Sequence, residues 1–245
     1  MTPTPTPTRP GRVVAVVGTG TDVGKTWVAA RLLAGLRAAE CSVAARKPVQ
    51  SFDPADDPLS RDAAVLGSAS GEAPETVCHP ERWYEVALAP PMAAEELGRS
   101  SFGIAELMGE LCWPEPVQRG RPVDVGVIET AGGLRSPLAA DGDCLDLCVA
   151  LAPDLVLLVA DAGLGTSNVV RLTAGALGAL DVLVAVVLNR FDPAVVVHAR
   201  NLQWLRASDG MEVLVTPGDE AALVELVRAP LTKSAPPHKK VDAST

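Results

Sequence analysis

Short runs that are almost wholly apolar and rich in valine recur along this chain, separated by longer stretches in which alanine and leucine return at helical spacing. The runs are Val13–Val17, Ser42–Arg46, Val123–Ile128, Leu155–Ala160, Leu183–Leu188 and Met211–Val215. A strand with one wet face alternates apolar and polar residues, whereas a strand covered on both faces reads as a continuous apolar run. The pattern therefore predicts buried parallel strands. Helices are expected over Lys25–Ala39, Ser167–Leu180, Pro193–Arg206 and Glu220–Val227, giving an α/β fold with a mostly parallel sheet flanked by helices.

Between residues 51 and 122 prolines at positions 54, 58, 74, 80, 90, 91, 114, 116 and 122 interrupt the pattern, predicting short helices and loops. Ligands of open α/β sheets bind beyond the carboxyl ends of the strands, and such an insertion would cover a substrate site there. The start, MTPTPTPTRP, and the end, KSAPPHKKVDAST, contain little that a core can use. We expect tails over 1–11 and 231–245 around a single domain over 12–230, with no internal repeat.

Composition sharpens this picture. The chain has 245 residues, 48% of them hydrophobic and only 3% aromatic, which suits a helix-on-sheet core of small and branched side chains. A formal charge of −9, from 30 acidic and 21 basic residues, disfavours nucleic acid and anionic membranes as partners. Its five cysteines, Cys41, Cys78, Cys112, Cys144 and Cys148, show no paired metal spacing and read as reduced thiols. With no apolar leader segment and no run long enough to cross a bilayer, a cytoplasmic location is expected.

The strongest local signal is Gly18-Thr-Gly-Thr-Asp-Val-Gly24-Lys25-Thr26, after the first strand and before the first helix. Such a loop wraps phosphate oxygens with backbone N–H groups. Lys25 would reach the β- and γ-phosphates, and the Thr26 hydroxyl would coordinate magnesium. Five residues separate Gly18 from Gly24, one more than usual.

A magnesium site beside such a loop needs a carboxylate at a strand end, and Glu129 and Asp161 both qualify. Glu129 is favoured because Thr130-Ala-Gly132-Gly133 follows it, a turn that can approach phosphate; capping a helix is the competing role for either residue. Lys47, after the second strand, would lie beside the loop if strands one and two are neighbours, and is otherwise a solvated surface lysine. Asp62 would reach the metal from a covering helix or merely stand in that helix's first turn. His79 and His198 fall in polar, exposed-looking segments and His238 in the tail, so no general base is assigned; no Gly-x-Ser-x-Gly elbow is present either.

Taken together, GTGTDVGKT (18–26), KPVQS (47–51), IETAGG (128–133), GLGTSN (163–168) and VVLNR (186–190) resemble the dethiobiotin synthases, in the same order and at similar separations over about residues 12–225. The resemblance implies P-loop NTPase architecture and an ATP- and magnesium-dependent ligase. Such an enzyme joins 7,8-diaminononanoate and carbon dioxide through a carbamate and a carbamic-phosphoric anhydride, making dethiobiotin in biotin biosynthesis. It implies Lys47, Lys25 and Thr21 at the reacting groups and Thr26, Asp62 and Glu129 on the metal. Nucleotide contacts would come from Asp22, Val23, Gly24, Lys25, Thr26, Trp27, Asp62, Glu129, Thr130, Ala131, Gly132, Asn189 and Arg190, with Pro217, Gly218 and Asp219 bordering the base. Ser51 would touch substrate, and Gly165 and Asn168 would grip its carboxylate from the opposite subunit of a homodimer.

Two positions depart from the family pattern. Thr130 replaces a glycine, and its β-branched side chain resists positive φ; Met92 stands after Pro90-Pro91 where a histidine is common. Three other readings compete, one of them a degenerate paralogue that folds alike but no longer turns over. A related P-loop ligase on another substrate usually carries a further glutaminase domain, and no candidate Cys-His pair with room for one is visible after residue 190. A ParA/MinD-like switch ATPase usually carries a signature lysine near the first glycine, which Gly18-Thr-Gly-Thr-Asp lacks.

Overall fold

The computed structural model describes residues 9–114 and 122–230. Residues 1–8 and 231–245, which hold most of the two expected tails, and Pro116 lie outside the described residues. In chain order the elements are β1 (Arg12–Gly18), α1 (Lys25–Ala38), β2 (Val43–Arg46), β3 (Gln50–Ser51), α2 (Asp62–Ser70), α3 (Pro74–Val77), β4 (Trp83–Tyr84), α4 (Pro90–Glu96) and α5 (Ile104–Glu110). They continue with β5 (Val125–Glu129), β6 (Pro137–Ala139), β7 (Gly142–Asp143), α6 (Cys144–Leu151), β8 (Leu155–Asp161), α7 (Thr166–Leu177), β9 (Leu183–Asn189), α8 (Val196–Ala207), β10 (Val213–Thr216) and α9 (Glu220–Arg228).

The six expected strands form one parallel sheet in the order β10-β9-β8-β1-β5-β2. Both faces are covered, which explains the unbroken apolar runs. Within β1, Val14 and Val16 pack against α1 and α9, whereas Ala15 and Val17 point to the cluster holding Val170 of α7 and Leu205 of α8. Strands one and two are not neighbours, because β5 lies between them. Strand pairing depends on contacts across more than a hundred residues, which local spacing does not encode.

The insertion between β2 and β5 forms short helices as expected, and its prolines start elements as well as interrupting them. Pro74 and Pro90 each occupy the first positions of α3 and α4, where the missing N–H costs nothing. Val49, Tyr84, Phe102 and Leu107 of this region bury against Leu138, Cys144 and Leu147. Three local differences from the sequence reading have physical causes. Helix α8 begins at Val196 rather than Pro193, because the Asp192 side chain accepts the Ala194 N–H and holds a turn there. Helix α6 was not anticipated; Asp143 and Asp146 cap it reciprocally. His198 is partly buried rather than exposed, its Nδ1 accepting the Asp192 N–H at 3.1 Å.

Among the described residues no helix is long and apolar enough to cross a membrane.

Candidate active site

The carboxyl ends of β1, β5 and β2 converge on a cavity of about 680 Å³. Its floor is the loop between β1 and α1. Gly24 closes that loop at φ 89°, and a Cβ there would lie 1.9 Å from Asn189 Nδ2. Glycine is required on both counts. The loop opens α1 at Lys25, so the helix dipole and free N–H groups face the cavity. Lys25 Nζ donates to Gly20 O at 3.0 Å.

Above the loop stands a polar cluster in an otherwise apolar interior. Thr26 Oγ1 lies 2.7 Å from Asp62 Oδ1 and 2.9 Å from Glu129 Oε1. Lys47 Nζ lies 2.6 Å from both Glu129 Oε1 and Asp62 Oδ2 and donates to Thr130 O at 3.2 Å. The lysine is 2% exposed, so it is not a solvated surface residue, and Glu129 is 1% exposed. Lys47 reaches the cluster although β5 separates its strand from β1, because β5 ends in Glu129 itself.

Burial and mutual charge set the protonation preferences. Burial pulls the Lys47 ammonium down, but Asp62 and Glu129 outweigh it, and its pKa lies above the ordinary lysine value. Burial pushes Glu129 above the ordinary carboxylate value despite Lys47. Asp62, opposed by burial but held by Lys47 and Thr26, lies below it. Lys25 is lowered by burial and by the like charge of Lys47.

These residues fit a magnesium ion. Glu129 Oε2 is buried without a hydrogen-bond partner, a cost of several kcal/mol for a charged group unless something positive faces it. Two carboxylates and a hydroxyl are hard oxygen donors, and magnesium normally leaves its remaining positions to phosphate and water. Among the described residues no cluster of three or more His, Cys, Asp or Glu forms another metal-type site.

The other expected positions fall into two groups. Thr21, Asp22, Gly24, Trp27, Ser51, Ala131, Gly132 and Arg190 line the same cavity. Arg190 bridges Asp22 at 3.1 Å and Asp161 at 3.4 Å, so Asp161 is a partner of Arg190 at the surface and stands apart from the carboxylate pair. Asn189 is buried beside the loop, donating to Val23 O at 3.0 Å and accepting from Thr216 Oγ1 at 3.1 Å. Pro217, Gly218 and Asp219 follow that threonine at the end of β10, off the cavity wall. Gly165 and Asn168 lie at the start of α7 and do not line the cavity.

Neither family departure disturbs the geometry. Thr130 is not among the residues with positive φ; Gly132 carries that conformation, at φ 71°. Thr130 N and Oγ1 both donate to Val16 O, tying β5 to β1. Met92 is 52% exposed and off the cavity wall. Sequence reasoning passed over Gln50, which lines the cavity at 2% exposure.

Known proteins resemble this chain over most of its length. The AAA domain family model matches residues 12–223. An ATP-dependent dethiobiotin synthetase of Haloferax mediterranei is 38% identical over 204 residues, covering 83% of this chain and 82% of that protein. That of Anaeromyxobacter dehalogenans strain 2CP-C is 36% identical over 214 residues, with 83% and 89% covered. That of Caulobacter vibrioides is 43% identical over 154 residues, with 62% and 68% covered. Among solved structures, a plasmid partition protein of Borrelia burgdorferi bound to AMPPNP superposes with a TM-score of 0.50 at 13% identity, covering 92% of this chain and 93% of that one. That likeness is one of fold alone.

Proposed function

This chain belongs to the family of ATP-dependent dethiobiotin synthetases, and from that membership we propose that it closes the cyclic urea of dethiobiotin from 7,8-diaminononanoate, carbon dioxide and ATP. The observation that carries the reading is the meeting of Lys47, Thr26, Asp62 and Glu129 directly above the phosphate loop.

The chemistry asks the protein for charge and position rather than a nucleophile. One substrate amine adds to carbon dioxide and loses a proton, giving a carbamate. A carbamate oxygen attacks the γ-phosphorus of ATP, forming a C–O–P link as the bond to the β-phosphate oxygen breaks and ADP leaves. The second amine then attacks the carbonyl carbon, its proton departs, and phosphate is expelled.

Lys25 sits at the helix start where it meets the β- and γ-phosphates. Lys47 offers a cation opposite it, suited to the carbamate and to the oxygens of the transferring group. Thr26, Asp62 and Glu129 would hold magnesium, which supplies positive charge to the phosphate oxygens when bound. Thr21 and Ser51 flank the reacting groups. Asn189 and Arg190, with Pro217 to Asp219 behind them, would border the base.

The same reading makes the active form a homodimer. Gly165 and Asn168 do not line their own cavity and are neighbours in sequence of the exposed Leu164, Val169 and Leu172. Cover by a second copy would bury that apolar strip and bring the α7 N-terminus to the substrate carboxylate of the other subunit. Sedimentation of the purified chain tests this, with a dimer expected at micromolar concentration. Product analysis with all three substrates tests the reaction.

A further inference from the structure

We infer that Gln50 is a specificity-determining residue that donates a side-chain N–H to the anionic oxygens of the carbamate; this rests on the proposed ring-closing reaction.

Gln50 is 2% exposed and lies on the cavity wall. Its Oε1 accepts the backbone N–H of Ala63 at 3.0 Å. That bond fixes which way the amide points, because the Ala63 N–H needs an acceptor and an NH2 group is not one. The NH2 must therefore sit at the opposite position, and there Nε2 is buried with no hydrogen-bond partner. A buried amide donor without an acceptor is costly, so the geometry calls for an acceptor supplied by a ligand.

Two neighbours point to the kind of acceptor. Ser51 Oγ, the next residue on the two-residue β3, is likewise buried and unpartnered. Lys47 lines the same cavity three residues earlier. Two unpartnered neutral donors and a lysine lining one cavity suit an oxyanion. Topology separates it from the phosphates: Glu129 ends β5, the phosphate loop follows β1 on one side, and Gln50 follows β2 on the other. The group that arrives opposite the phosphates in this reaction is the carbamate. Through Ala63, the residue after Asp62, Gln50 also ties the oxyanion position to the helix bearing that carboxylate.

Two variants separate the donor from its other roles. Gln50→Glu keeps an acceptor for Ala63 but loses both donors; Gln50→Met loses donor and acceptor without adding charge. In both, the KM for the diamine and for bicarbonate should rise at least about tenfold while that for ATP stays within about twofold. A rise in Gln50→Glu alone would assign the effect to charge and overturn the inference, as would equal rises for all substrates.

A second readout is the Gln50 side-chain amide resonance of 15N-labelled full-length protein, identified by its loss in Gln50→Glu. It should move when diamine and bicarbonate are added to protein loaded with a non-hydrolysable ATP analogue and magnesium, and stay in place with the analogue alone. Movement with the analogue alone would mean that the amide reads phosphate, and no movement in an enzyme that makes dethiobiotin would remove Gln50 from recognition. If the wild type makes no dethiobiotin, the ring-closing reading itself fails, and the inference with it.

Discussion

Lys47 Nζ lies 2.6 Å from Glu129 Oε1, a contact between the ends of two adjacent strands, β2 and β5, with the phosphate loop one strand further on. The ammonium touches the same two carboxylates that would hold magnesium. Magnesium held by those carboxylates would offset their charge and would leave Lys47 available for the substrate. In the proposed reaction the lysine would neutralise the site before the metal binds and act on the substrate afterwards.

Lys47→Ala should therefore show two separable losses. Removing one partner of a buried ion pair costs about 3–5 kcal/mol, so thermal stability falls in metal-free buffer and recovers in part with magnesium-ATP. Turnover should drop by about 10³-fold or more, as for other cations placed on a transferring phosphoryl group. Melting curves and single-turnover assays check both, and unchanged turnover would remove Lys47 from the mechanism.

Thr26→Val removes the hydroxyl that touches both carboxylates while keeping the branched shape. Magnesium affinity in the presence of ATP should fall about 10–100-fold, read from the metal dependence of turnover. Binding of ATP without metal should change far less.

Gly24→Ala meets two obstacles, a backbone at φ 89° and the Asn189 amide in the path of the new methyl group. The strained backbone alone costs about 1–3 kcal/mol. The shift of Asn189 should weaken ATP binding as well, measurable by calorimetry. Full retention of ATP affinity would contradict the placement of Asn189 beside the nucleotide.

The cysteines predict a pH dependence. Burial pushes the thiols of Cys78 and Cys148 up to about 12 and that of Cys144 to about 11, from an ordinary 9.0. Between those values the unfolded chain releases protons that the folded chain keeps, so stability declines as pH rises from 9.0 towards 11 or 12. The denaturant midpoint should fall between pH 8 and pH 10, and less steeply in Cys144→Ala. At pH 8 a thiol reagent should modify the exposed Cys112 well before these three.

Much of this was legible in the sequence, because most of the expected site positions follow or end an apolar run that reads as a buried strand, Asp62 of α2 being an exception. Gly24, Lys25 and Thr26 follow β1, Glu129 ends β5, and Asn189 ends β9. The order of strands was not legible: that β5 would lie between β1 and β2 depends on long-range pairing. Helix α6 carried its signal in Asp143 and Asp146, but the run CLDLCVAL is too short to distinguish from a strand by periodicity. Gln50 had no signal at all, since its importance lies in an unpaired amide that only packing creates.

The measurement that tests the account most directly is mass spectrometry of the purified protein incubated with 7,8-diaminononanoate, bicarbonate and magnesium-ATP, alongside reactions lacking each component. Dethiobiotin should appear only in the complete mixture, with one ADP formed for each product molecule. Binding of ATP with no dethiobiotin under any of these conditions would contradict the proposed reaction.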